Sequence, residues 1–90
     1  MDLSTKIARS ENFIHNVIDG ELVMMNIETG SYVSMNNTGK IIWEQLEQSK
    51  TVEEIISDLL TQFEIERSQC EADVLPFIDK MIEQNLVIVQ

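Results

Sequence analysis

The chain holds one histidine and one cysteine, His15 and Cys70. A thiol becomes a working nucleophile when a base lies within hydrogen-bond reach and a third group orients that base. The local pattern puts His15 on a strand near the N-terminus and Cys70 at the start of a helix far along the chain. His15 therefore reads as a surface or half-buried strand residue, and Cys70 as a small apolar residue beside a helix stripe. Zinc needs about four ligands, mostly nitrogen or sulfur, and His15 and Cys70 are the only such side chains. The EF-hand alternation of oxygen ligands around a glycine is absent. Glu53 and Glu54, and likewise Glu64 and Glu66, read as solvated charges. Gly20, Gly30 and Gly39 are isolated, so they build no phosphate-cradling loop. These residues point to a protein that is not an enzyme and uses no metal or cofactor.

Charge narrows the partners. There are 16 acidic residues against 6 basic ones, a net charge of −10. That repels nucleic acid and anionic lipid and favours a cationic or neutral partner, unless it serves solubility alone. Helices expected over 38–48 and 51–64 could resemble a helix-turn-helix. A recognition helix needs Lys or Arg for the phosphates, and 51–64 contains neither. The single cysteine gives no disulfide framework, which suits a reducing cytoplasm. The chain shows no signal-peptide pattern and no apolar run near the roughly 20 residues that span a bilayer. The expectation is one soluble, cytoplasmic domain.

The elements that must position any site follow from periodicity. Residues 1–11 lack it and are expected to form a loose N-terminal arm before a domain over 12–90. From Asn12 to Ile18 residues alternate, and Asp19-Gly20 is a two-residue hairpin signal because both positions need positive φ. A second strand runs from Glu21 to Ile27, with Val23, Met25 and Ile27 on one face. Glu28-Thr29-Gly30 turns into a third strand, Ser31 to Met35, with Val33 and Met35 on one face and Tyr32 and Ser34 on the other. Sequential hairpins give an antiparallel meander.

The period then changes. Asn36-Asn37-Thr38 offers side-chain oxygens to cap a helix. Thr51-Val52-Glu53-Glu54 is a capping box, and its helix carries Val52, Ile55, Ile56, Leu59, Leu60 and Phe63 on one stripe. Ser68 to Glu71 is a second box, expected to open a helix over 69–85 that bends near Ala72 because of Pro76; the alternative start has Asp73 as N-cap and Pro76 in the first turn. Leu86 to Val89 is a short extended run. The class is α+β: a three-stranded antiparallel sheet followed by three helices.

A meander has two edges. Unpaired main-chain groups on the third strand could accept an extended peptide as a further strand. On the third helix, Val74, Phe77 and Met81 form one row, and Leu75, Ile78 and Ile82 an adjacent one. Either all six are core, or one row packs inward while the other lines a groove beside the third strand.

In order and spacing the chain resembles the PqqD-like domain, the RiPP recognition element. The matching residues are Asp19-Gly20, Tyr32-Val33-Ser34-Met35-Asn36, Thr38-Gly39 with Ile42-Trp43, and Thr51-Val52-Glu53-Glu54-Ile55. They continue through Asp73-Val74, Phe77-Ile78, Met81 and Asn85-Leu86-Val87. The resemblance covers about residues 12 to 89. Met35 replaces the usual leucine, and Asn85 the usual glycine.

The resemblance implies a winged-helix-like fold that binds the leader segment of a ribosomally made precursor. The leader would add as a strand to Ser31, Tyr32, Val33, Ser34 and Met35 and pack against Asp73, Val74, Phe77, Ile78 and Met81. A free-standing, acidic chain of this size is similar to the recognition half of a split lasso-peptide B protein. Such leaders often carry lysines and a Tyr-x-x-Pro segment, which would suit an acidic host with apolar pockets. Its partners would then be the leader peptide, a cysteine-protease-like leader peptidase and a cyclase. Two alternatives stand beside this: a chaperone for a radical-SAM peptide-modifying enzyme, and a non-enzymatic winged-helix dimerisation module.

Overall fold

A computed structural model describes residues 2–90. The chain runs β1 (Lys6–Arg9), β2 (Phe13–Ile18), β3 (Glu21–Asn26), β4 (Tyr32–Met35), α1 (Asn37–Gln45), β5 (Lys50–Thr51), α2 (Val52–Gln62), α3 (Arg67–Glu83) and β6 (Val87–Val89). The expected meander is the sheet β2–β3–β4, antiparallel throughout. Its first turn takes the conformation its sequence demands: φ is +53° at Asp19 and +82° at Gly20. Leu22 pairs with Met35 and Met24 with Val33, so these four share the face turned to the core. Val23 and Met25 face the other way.

The arm expected over 1–11 is not loose where it is described; Met1 lies outside the described residues. It contains β1, the central strand of a second antiparallel sheet in the order β5–β1–β6. Ile7 pairs with Lys50 on one side and Val89 on the other, and its side chain is fully buried. Burying an isoleucine contributes roughly 1.5–3 kcal/mol, enough to offset the backbone cost of ordering about one or two residues; the strand pairing on both sides supplies the rest. Arg9 adds a second tie. Its guanidinium lies 4.7 Å from the centroid of the Trp43 ring. It also donates to the Trp43 carbonyl, from Nε at 3.1 Å and Nη2 at 2.6 Å. That carbonyl lies in the last turn of α1, where a cation is favoured. A four-residue strand with one isoleucine gives too short a pattern for sequence reading, and its partners lie about 40 and 80 residues further along the chain.

Two of the three helices start for a local reason. Asn36 caps α1, its Oδ1 accepting from the Gly39 N–H at 3.2 Å. Thr51 opens α2 with the expected capping box: Oγ1 accepts from the Glu54 N–H at 3.1 Å, and the Glu54 carboxylate accepts from the Thr51 N–H at 3.0 Å. The second expected box does not form. α3 begins at Arg67 with Glu66 as N-cap and no side-chain cap bond. Arg67 instead pairs with Glu53 of α2 and with Glu71 one turn on, so cross-helix pairing fixes this end. The helix runs unbroken through Pro76; the carbonyl that proline leaves free belongs to Ala72, which is exposed. α3 closes in a Schellman motif. The Leu86 N–H donates to the Met81 carbonyl at 2.9 Å and the Asn85 N–H to the Ile82 carbonyl at 3.0 Å. Asn85 takes the left-handed position at φ +60°, which asparagine tolerates and glycine prefers. The core lies between the two sheets and the helices, around Ile7, Leu22, Met24, Ile42, Trp43 and Ile55.

Candidate functional site

β4 is an edge strand. The Asn26 N–H donates to the Ser31 carbonyl at 2.9 Å, and this sets the phase of the β3–β4 ladder. In an antiparallel pair the groups of successive residues point alternately toward and away from the partner. Val33 and Met35 therefore turn their N–H and C=O to β3, while Tyr32 and Ser34 turn theirs to the open edge. The opposite edge, β2, is partly closed to the same use: the Val17 N–H already donates to Asn16 Oδ1 at 2.9 Å.

A groove runs beside the open edge. Val33, Ser34 and Met35 on one side and Phe77, Lys80 and Met81 on the other line a concavity of about 140 Å³. It continues past the N-terminus of α1 into a broader depression of about 450 Å³ bounded by Asn36, Thr38, Asp73, Pro76 and Phe77. It ends at an apolar hollow of about 210 Å³ whose walls include Ile41, Leu59, Phe63, Ile65 and Val74. Phe77 borders the first two. Its ring lies over Gly39, where an added Cβ would meet Phe77 Cε1 at 2.7 Å. The absence of a side chain at Gly39 is what lets α3 bring Phe77 down against α1 and β4.

The structure sorts the expected site residues into three groups. Ser31, Tyr32 and Ser34 are exposed, with Tyr32 and Ser34 supplying the open main-chain groups; Val33 and Met35 face the core and border the groove. Asp73 is exposed and Phe77 half-buried, both on the groove. Val74 and Met81 are buried core residues that show only an edge to a concavity. Ile78 is 0% exposed and lines none of the three hollows. The true core stripe of α3 is Cys70, Val74, Ile78 and Met81, which mixes members of the two expected rows. Burial follows the i, i+4, i+8, i+11 line, and Asp73, Phe77 and Lys80 occupy the neighbouring line that meets the groove.

Lys80, Phe63 and Ile65 are functional candidates that sequence reading missed. Phe63 belongs to the α2 stripe by spacing but is its C-cap and 41% exposed, and Ile65 is 43% exposed. The usable signal was Ile65 itself, an isoleucine between Glu64 and Glu66 with no strand or helix period to claim it.

Cys70 is fully buried beside the hollow, and burial pushes its thiol above the usual range. His15 stands edge-on to Trp43, with ring centroids 5.6 Å apart. Each is thus engaged in packing on a different part of the fold. No cluster of three or more His, Cys, Asp or Glu able to hold a metal occurs among the described residues, and no helix of the described chain is long and apolar enough to cross a membrane.

The model of the family described as coenzyme PQQ synthesis protein D (PqqD) matches residues 21–87. The chain belongs to the PqqD family. Two solved structures share its fold. One, described as TbiB1 in complex with the TbiA(beta) leader peptide, is 28% identical with a TM-score of 0.77, over 89% of this chain and 93% of that one. The other, a lasso peptide synthetase B1 complexed with the leader peptide, is 17% identical with a TM-score of 0.71, over 91% of this chain and 96% of that one. No curated protein matches the chain.

Proposed function

We propose that this PqqD-family chain binds the leader segment of a ribosomally synthesised precursor peptide, without catalysis, and presents it to the enzymes that process it. The observation that carries this is the open β4 edge facing α3 across a groove. Main-chain bonding at Tyr32 and Ser34 gives affinity with little sequence demand, and the hollows beside Phe77 and Phe63 give preference for particular side chains. The likeness to TbiB1, described in complex with a leader peptide, supports a leader as the ligand; a lasso-type precursor follows from the resemblance of this acidic chain to the recognition half of a split lasso-peptide B protein. An apolar leader residue such as Tyr or Pro suits the hollow around Ile41, Phe63 and Ile65. A leader lysine suits Asp73. The leader peptidase and the cyclase are the partners this reading requires, and a lone cysteine suits the reducing cytoplasm in which they would meet.

Amide exchange of the chain with and without a synthetic leader tests it. The Tyr32 and Ser34 amides should gain protection, while those of Val33 and Met35, already paired to β3, should change little. Protection concentrated on residues 51–62 would place the ligand elsewhere and defeat the assignment.

A further inference from the structure

The groove carries charge in a fixed order. Asp73, Phe77 and Lys80 are spaced four and three residues apart, which keeps them on one side of α3. Lys80 stands across from Val33, Ser34 and Met35. Asp73 stands further on, with Asn36 and Thr38, and also borders the hollow at Phe63 and Ile65. Along the groove α3 therefore runs opposite in sense to β4. A cation lies beside the strand, the Phe77 ring in the middle, and an anion where β4 gives way to α1.

Lys80 and Asp73 are the only charged residues lining the three hollows, and neither is in an ion pair among the described residues. Other cations of the domain are engaged. Lys40, Lys50 and Arg67 pair with Glu44, Asp58 and Glu53, and Arg9 is held on the Trp43 carbonyl. Asp73 accepts from Gln69 Nε2 at 3.0 Å, a neutral donor that leaves the carboxylate its charge. On a chain of net −10 an acidic ligand group is repelled at most points of the surface. Beside Lys80 it gains.

A strand added to β4 turns every second side chain toward α3. If it continues the antiparallel sheet, its N-terminal end lies by Met35 and Asp73 and its C-terminal end by Tyr32 and Lys80. Asp73 and Lys80 are about 10 Å apart along the helix axis. Alternate residues of a strand are about 7 Å apart. Two such steps exceed the helix span by a few ångströms, which the flexible lysine stem takes up. We propose, resting on the leader-binding reading, that this row selects a leader segment of the order basic, x, apolar, x, acidic. Lys80 is its specificity-determining residue and takes the acidic side chain. The two charges fix register as well as affinity. Reversing the leader sets its acid against Asp73, sliding it by two residues sets the acid against the Phe77 ring, and a one-residue slip turns the whole row away from α3.

The test uses the full chain and a fluorescent synthetic leader. Lys80→Met keeps an aliphatic stem and removes the charge; it should weaken leader binding about three- to fivefold, as for one exposed charge pair. Lys80→Glu should weaken it at least about tenfold. With each leader Asp or Glu changed in turn to Lys, one altered leader should bind the Lys80→Glu chain more tightly than the unaltered chain. A nitroxide on the N-terminal side of the leader should broaden the amides around Asp73, and one on the C-terminal side those around Lys80. Circular dichroism should show both variants folded, since Lys80 is exposed. Leader affinity unchanged in Lys80→Glu, no altered leader that restores binding, or the opposite order of broadening would overturn the proposal. An unaltered chain that binds no leader overturns the leader-binding reading itself. One that binds leader with indifference to the residue at position 80 leaves that reading standing and removes this proposal alone.

Discussion

Replacing Gly39 with alanine sets two effects against each other. Gly39 sits within α1 with ordinary helical backbone, so alanine should gain about 0.5–1 kcal/mol of helix propensity. Against this, the new Cβ would lie 2.7 Å from Phe77 Cε1, 2.8 Å from Cζ and 3.0 Å from Met35 Cβ. Carbon atoms rest at about 3.5–4.0 Å, so the ring must withdraw by about 1 Å. Met35 Cβ is tied to a paired strand, which leaves the half-buried Phe77 ring to give way. Overpacking of this kind costs about 1–3 kcal/mol, and the net expectation is a loss of roughly 0–2 kcal/mol of stability. Function should suffer more than folding, because the displaced ring moves into the groove. Leader affinity should drop at least about tenfold, equivalent to about 1.4 kcal/mol. Urea unfolding followed by circular dichroism reads the first effect, and fluorescence anisotropy with a labelled leader reads the second. Phe77→Leu in the Gly39→Ala background should recover stability relative to the sum of the single changes, since the two sites are in contact. A Gly39→Ala chain that gains the full helix increment and binds leader as before would show that Phe77 is not seated on Gly39.

Three further outcomes follow from local chemistry. The Glu53 carboxylate is held below its usual range first by its hydrogen bond from Arg67, and that of Glu54 first by the Thr51 backbone N–H. Depressed folded-state values mean their stabilisation is full at neutral pH and is lost as pH falls below the ordinary glutamate value of about 4.3. Acid also relieves repulsion among the 16 acidic residues, so urea midpoints of Glu53→Gln and Glu54→Gln against the unaltered chain isolate the effect: the gap should shrink between pH 7 and pH 3, and a constant gap contradicts it. Asn85→Ala should cost about 1–2 kcal/mol because alanine resists the left-handed position, whereas Asn85→Gly should not; equal melting points for the two would rule out the Schellman geometry. Cys70, buried and with its thiol pKa raised, should alkylate on the order of a hundredfold more slowly in the native chain than in urea, and equal rates would contradict its burial.

Much of the fold was legible in the sequence, and so was the edge. Asp19-Gly20, Thr51 to Glu54 and the alternation over 31–35 act through neighbours a few residues apart, and local geometry alone gives a hairpin, a capping box and a strand with two faces. The PqqD-like order of motifs added the ligand class. Tertiary structure decided what depends on partners distant in the chain. It turned the supposed arm into the middle strand of a sheet, because Ile7 finds Lys50 and Val89 beside it. It chose the core stripe of α3 as Cys70, Val74, Ile78 and Met81, since only packing says which of several apolar lines faces inward. That choice removed Ile78 from the candidate site, brought in Lys80, and, through the missing side chain of Gly39, put Phe77 against the strand whose open edge the sequence had already marked.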